Sequence, residues 1–324
     1  MFKHLYVLLA SIVACLGMSC ANAQTSPKFP DRPITLLVPY APGGAGDTLG
    51  RLIGKKMGDL MGQPVIIDNR PGASGVIASQ QLLHMPADGY TLMLVVNTHT
   101  INSSVMSKLP YEAKDFAPIG TFASSRFLLA VNPNVKAHNL QEFIALARQS
   151  KGGLSYGTIG SAGIGRVVGE TFGAQSGTTI RYVPYRGSAP LLTDVLSGTV
   201  DYVIDTPNVY LNYIATGQVR PIAISGDKRH PALPNVPTFA EAGLKEFNPK
   251  MWFGILTRTG VPESTIDTLS AKLREALNSE EIQKALADQT FEPFFTTPSE
   301  FNQLLSEETA RWAEVVRRAN IKVD

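Results

Sequence analysis

Cysteine is nearly absent from this 324-residue chain, which has two, Cys15 and Cys20, both close to its start. The rest of the sequence therefore excludes a thiol nucleophile, a structural disulfide and a cysteine metal site. Histidine is sparse too. His84, His99, His138 and His230 are scattered without the short spacing of a metal-ligand pair. No block of lysine or arginine occurs and the net charge is only +2, which argues against nucleic acid as a partner. Beyond the N-terminal segment, no run is apolar for the ~20 residues that a membrane span needs.

Catalytic signatures are also missing. The single G-x-S-x-G match, "GLSYG" at Gly153–Gly157, runs into the strand-like "LSYGTIG" and is not at a strand-to-helix elbow; "GASG" around Ser74 and "GSAG" around Ser161 are near misses. Gly44-Ala45-Gly46 opens like a dinucleotide fingerprint, but Leu49 stands where its third glycine belongs. "LGRLIGKKMG" contains Gly54-Lys55, yet Leu49 and Lys56 replace the first glycine and the hydroxyl residue of a P-loop. The chain reads as a non-enzyme that needs no cofactor and no metal.

What is present begins with a leader. A basic start "MFKH", an apolar stretch "LYVLLASIVACLGM" and a small-x-small "ANA" form a secretory signal peptide, 1–23, with cleavage expected after Ala23. Strand-like and helix-like segments then alternate. "ITLLVPY" is a short apolar run of the kind that a buried strand shows, and an amphipathic segment with Leu49, Leu52, Ile53, Met57 and Leu60 on one face follows it. Asp47 is the expected cap of that helix, through the Thr48–Leu49–Gly50 amides. The rhythm continues through "VIIDNRPGASG", "YTLMLVV", "LSYGTIG", "TIRYVPY" and "VDYVIDT", which is the pattern of a doubly wound α/β fold. Near the C-terminus Thr297, Pro298 and Glu300 make the start signal of a long helix, a capping box with proline at its first position.

Five loops follow strands and are rich in small hydrogen-bonding groups: Ala41–Asp47, Asn97–Thr100, Gly157–Gly165, Pro184–Pro190 and Asp205–Asn208. "VPYAPGG" at Val38–Gly44 is echoed by "VPYRGSAP" at Val183–Pro190, which suggests two sheets presenting similar loops at their carboxyl edges, where open α/β sheets bind ligands. Loops of backbone amides and hydroxyls without a nucleophile suit a carboxylate or another oxyanion.

These segments, together with "FPDRPITLLVPYAPGGAGDTLGR", "ADGYTLM", "THTIN", "SYGTIGSAG", "VPYRGSAPLLTDVLSGTVD", "VPTFAEAG" and "MWFGILTRTGVP", resemble the Bug family in order and over the whole chain after the leader. Bug proteins are periplasmic solute-binding receptors of tripartite tricarboxylate transporters. The resemblance implies a two-lobed flytrap fold of the periplasmic-binding-protein type, each lobe a mainly parallel doubly wound sheet flanked by helices. The second lobe, 124–225, would be inserted into the first, 24–123 plus 226–324. It further implies a periplasmic monomer that holds a small carboxylate between the lobes and delivers it to integral-membrane subunits. Ligand-binding positions carried over are Tyr40, Ala41, Pro42, Gly43, Gly44, Thr98 and His99 in the first lobe. In the second they are Thr158, Ser161, Ala162, Gly163, Tyr185, Arg186, Gly187 and Asp205.

Two arginines depart from the family pattern. Arg126 in "SSRFLLAVNP" and Arg166 in "GIGRVV" are candidates to pair with a second carboxylate, because guanidinium binds carboxylate in bidentate fashion. Tyr40, Tyr185 and Phe127 would offer an apolar wall to an aromatic acid. Dicarboxylates, tricarboxylates, acidic amino acids and aromatic acids all remain open as ligands. A receptor that docks on a sensor protein instead of a permease is the alternative reading.

Overall fold

The short apolar run Ile34–Val38 is β1, and Leu36, Leu37 and Val38 are buried in it. The computed structural model describes residues 29–106, 108–160, 163–319 and 321; the expected leader, 1–23, and the site candidates Ser161 and Ala162 lie outside them. β1 pairs in parallel with β2 (Val65–Asn69) on one side and with β3 (Thr91–Val96), buried throughout, on the other. Helix α1 (Ala45–Met61) makes the β1–β2 crossover, and α2 (Val76–His84) leads from β2 to β3. A short helix α3 (Thr98–Val105) follows β3. Long strand β4 (Phe116–Arg126) lies next in the chain.

The second sheet starts one residue later. It comprises β5 (Leu128–Val131), β6 (Leu154–Ile159), β7 (Ile180–Tyr185), β8 (Tyr202–Asp205) and β9 (Arg220–Ile224). Its helices are α4 (Leu140–Gln149), α5 (Ile164–Ser176), α6 (Ser188–Ser197) and the short α7 (Leu211–Ala215). The chain then returns as β10 (Lys250–Arg258), α8 (Glu263–Leu277), α9 (Glu280–Asp288), β11 (Glu292–Pro293) and α10 (Pro298–Arg318). Strand order is β11-β4-β10-β3-β1-β2 in the first sheet and β7-β6-β8-β5-β9 in the second.

The two-lobed, helix-flanked α/β architecture is the expected one, but the sheets are mixed rather than mainly parallel. β10 runs antiparallel to both β3 and β4, and β5 runs antiparallel to both β8 and β9. The reason is the crossing between lobes. β4 and β5 form almost one continuous strand interrupted at Phe127, and a strand entering a sheet without a helical crossover need not run parallel to its neighbour.

Sheet and core membership also divide the chain later than the 123/124 and 225/226 boundaries expected from sequence. β4 stays in the first sheet to Arg126, opposite Lys250. Residues after Ser225 remain on the second sheet: Thr238 bridges to Ile224, and Leu233, Val236, Phe239 and Phe247 pack in its two cores. Phe127 is 2% exposed within one of those cores, so it is core rather than a wall of the cleft. The two crossings are stitched together, with the Phe127 amide donating to Ser225 Oγ and the Ser225 amide to the Phe127 carbonyl, each at 2.8 Å.

Candidate functional site

Four helices that follow parallel strands begin on glycine. Gly44, Gly75, Gly163 and Gly187 cap α1, α2, α5 and α6, and no side chain caps any of them. By contrast α4 and α10 start on Asn139 and Thr297, whose side chains accept from the amide three residues on. The first amides of a helix have no partner inside it. Left without a side-chain acceptor, they and the helix dipole favour an incoming anion.

In the first lobe, Ala41, Pro42 and Gly43 are exposed and Gly44 is half-buried. Asp47 sets their conformation. Its Oδ2 accepts the Gly43 amide at 2.9 Å and Arg51 Nε at 3.1 Å, while Oδ1 accepts Asn69 Nδ2 at 2.8 Å and pairs with Arg51 Nη2 at 2.9 Å. Asn69 Nδ2 also donates to the Tyr40 carbonyl at 3.0 Å. Burial alone raises the Asp47 pKa, but the bonds from Arg51, the Gly43 amide and Asn69 outweigh it and bring the carboxyl down to about 2. Asp47 thus braces the loop from within the first turn instead of capping the Thr48–Gly50 amides. Tyr40 lies over the same turn: a Cβ on Gly46 would stand 2.4 Å from Tyr40 Cδ2, so only glycine admits the ring.

Thr98 and His99 open α3, and they diverge. Thr98 faces the second lobe, since a Cβ on Gly163 would lie 3.5 Å from Thr98 Oγ1. His99 stacks on Tyr111 with ring centroids 5.6 Å apart and meets the edge of Phe116 at 4.9 Å. Burial lowers its pKa to about 4, so it is a neutral packing residue at pH 7 and lacks the charge an anion site would use.

In the second lobe Thr158 is 3% exposed, and its Oγ1 is buried with no hydrogen-bond partner among the described residues. It lies against the first turn of α5, where a Cβ on Gly165 would collide with it at 2.2 Å. The Gly160 amide donates to the Tyr185 carbonyl at 2.9 Å, which ties two of the predicted loops together. The Tyr185 hydroxyl turns to Asp194 Oδ2 at 2.6 Å; burial first, then that carboxylate, pushes its pKa up to about 12. Asp205 accepts the Thr206 amide at 2.7 Å and the Tyr210 hydroxyl at 3.2 Å, and burial raises its pKa. Asp205 therefore braces its own loop. Gly187 is open at the cap of α6, and Arg186 beside it is exposed.

Neither departing arginine is free. Arg126 binds Glu292 Oε1 through Nε at 2.7 Å and Nη2 at 2.6 Å, and its Nη1 donates to the Lys228 carbonyl. Arg166 pairs with Glu170 at 2.7 Å and stacks on the Tyr182 ring at 3.5 Å. Both guanidinium groups, the sequence candidates for a second carboxylate, are already paired with carboxylates of the protein.

The family profile for the tripartite tricarboxylate transporter family receptor, TctC, matches residues 49–321. The chain belongs to this receptor family. It is 31% identical to Protein BugT of Bordetella pertussis over 97% of this chain and 99% of that one. A solved periplasmic transporter is 34% identical with a TM-score of 0.84, covering 91% of this chain and all of that one. An R. palustris protein solved with adipate is 33% identical, TM-score 0.84, over 91% of this chain and 99% of its own. This TctC-type receptor is accordingly a periplasmic binding protein of a transport system, not an enzyme.

Some residues that shape the candidate site were not visible in the sequence. Asn69, which holds both Tyr40 and Asp47, lies at the end of another strand. Asn97, directly before Thr98, is fully buried and donates to Glu308 Oε2 at 2.7 Å across 211 residues of chain. The "GASG" turn carries left-handed backbone at Ala73 (φ 45°) and Ser74 (φ 53°), both non-glycine residues, at the carboxyl end of β2. Asn102 Nδ2 fastens that turn by donating to the Ser74 carbonyl at 3.0 Å.

Proposed function

We propose that this receptor captures a small dicarboxylate between its lobes and presents it to the membrane subunits of a tripartite tricarboxylate transporter. The observation that carries this reading is the meeting of Thr98 with Gly163 at the start of an uncapped helix, beside the Thr158 hydroxyl, which has no partner among the described residues. One carboxylate would take the amides of α1 and α5 and the Thr158 and Thr98 hydroxyls. Backbone amides and hydroxyls suit a cargo that must be released as well as held.

The second carboxylate would go to Arg186. With Arg126 and Arg166 committed, it is the cation on the predicted second-lobe loops that has no ion pair among the described residues. Adipate, which the R. palustris relative holds, is itself a dicarboxylate. The receptor would act as a monomer after removal of residues 1–23.

A thermal-shift screen of the mature protein against mono-, di- and tricarboxylates, amino acids and aromatic acids tests the proposal. An acid at a hundred times its Kd adds ~2.7 kcal/mol, several degrees at roughly 2–4 °C per kcal/mol. Stabilisation by dicarboxylates supports the reading, with Arg186→Ala weakening them far more than monocarboxylates. No shift with any acid in ligand-free protein would contradict it.

A further inference from the structure

Helix α5 is apolar on two sides. Val168 and Phe172 enter the core of the second lobe with Phe143 and Tyr156. Val167, turned roughly 100° away by the helical repeat, is also fully buried, but among residues of the first lobe. Its cluster contains Ile101 and Val105 of α3, Trp312 and Val316 of α10, and Ile321. Ile164, one turn earlier on α5, is half-buried against both groups.

The receiving pocket is rigidly built. Glu308 of α10 is 5% exposed, and its Oε2 accepts three N–H groups: Asn97 Nδ2 at 2.7 Å, Trp312 Nε1 at 2.8 Å and Trp252 Nε1 at 3.1 Å. Arg311 pairs with its other oxygen. This carboxylate fixes the Trp312 indole to the end of β3 and to β10. A wall for Val167 is thereby tied to Asn97, one residue before Thr98. The knob belongs to one lobe and the hole to the other, and both α5 and α3 begin at the candidate site.

We propose that Val167 and the α3–α10 pocket form an apolar latch that favours the arrangement of the lobes in which Thr98 meets Gly163, taken as the closed one, and so sets ligand affinity. Opening would expose Val167 and the ring of Trp312 to water. The apparent Kd of a receptor rises as the population of its closed state falls. The affinity part rests on the carboxylate reading above; the conformational part does not.

The test uses full mature protein carrying Val167→Ala or Val167→Asp, with circular dichroism to verify folding. Small-angle scattering without any acid is the first measurement. The latch predicts a larger radius of gyration for the variants than for the wild type. Titration calorimetry with adipate and with L-malate is the second. For whichever acid binds the wild type, Val167→Ala should weaken binding more than twofold and at most about tenfold, the upper bound being the full effect of exposing two fewer methyl groups on opening. Should Val167→Asp fail to fold, Val167→Ala carries both measurements. Unchanged scattering together with affinity within twofold of wild type overturns the latch. If neither acid binds the wild type, the scattering alone decides, and the dicarboxylate reading is what has failed.

Discussion

Replacing Asp47 by asparagine should loosen the first-lobe loop and destabilise the whole receptor. The carboxylate uses both oxygens as acceptors: Gly43 and Arg51 on Oδ2, Asn69 and Arg51 on Oδ1. An amide of the same shape offers one oxygen and turns its NH2 toward the remaining donors. At about 1.4 kcal/mol per unit of pKa, the fall from 3.8 to about 2 corresponds to roughly 2 kcal/mol. Asp47 is 4% exposed, but its partner Arg51 is 53% exposed, so solvent screening reduces this to about 1 kcal/mol. The expected drop in Tm is roughly 2–4 °C at neutral pH. The sign with pH follows from the depressed pKa: the stabilisation is complete above the unfolded value near 4 and disappears as pH falls through about 2. Urea denaturation of wild type and Asp47→Asn from pH 7 downward measures it. The gap between them should hold to about pH 4 and then narrow. A variant that melts within a degree of wild type, or a gap that ignores pH, would refute the reasoning.

Gly46→Ala places a methyl 2.4 Å from the Tyr40 ring and should cost about 1–3 kcal/mol, read by urea midpoint, with carboxylate affinity falling as Tyr40 is displaced. Replacing His99 by phenylalanine should leave carboxylate affinity unchanged by calorimetry. NMR titration should find the ring neutral at pH 5, given a pKa near 4. That lowered value means His99 supports stability above the unfolded pKa near 6.5, with the contribution lost as pH falls toward 4. Arg126→Ala should weaken mono- and dicarboxylates alike, and Arg126 and Glu292 should show coupling in a double-mutant cycle. A loss confined to dicarboxylates would return Arg126 to the cleft.

What the sequence revealed was mostly local. The strand–glycine–helix joints at Gly44, Gly163 and Gly187 and the capping box at Thr297 and Glu300 are written in consecutive residues, and the family resemblance ordered them into two lobes. What it concealed was long-range pairing. Nothing near Arg126 announces Glu292, 166 residues on, and nothing near Asn97 announces Glu308. Asp47 looked like a cap because aspartate near a helix start is one; Asn69 and Arg51 gave it another task. The mixed sheets were illegible for a related reason, since strand polarity across the crossing at Phe127 depends on partners that no single segment contains.

The central claim, that a carboxylate is held where Thr98 meets Gly163, is tested most directly at Thr158. Thr158→Val keeps the side chain's shape and removes a buried hydroxyl without a partner among the described residues. Ligand-free, the variant should melt at or above the wild-type temperature, because it relieves an unsatisfied polar group. Titrated calorimetrically with the dicarboxylate that binds the wild type best, it should bind at least tenfold more weakly, having lost a hydrogen bond to a charged group. Equal affinity in the two proteins would contradict the claim.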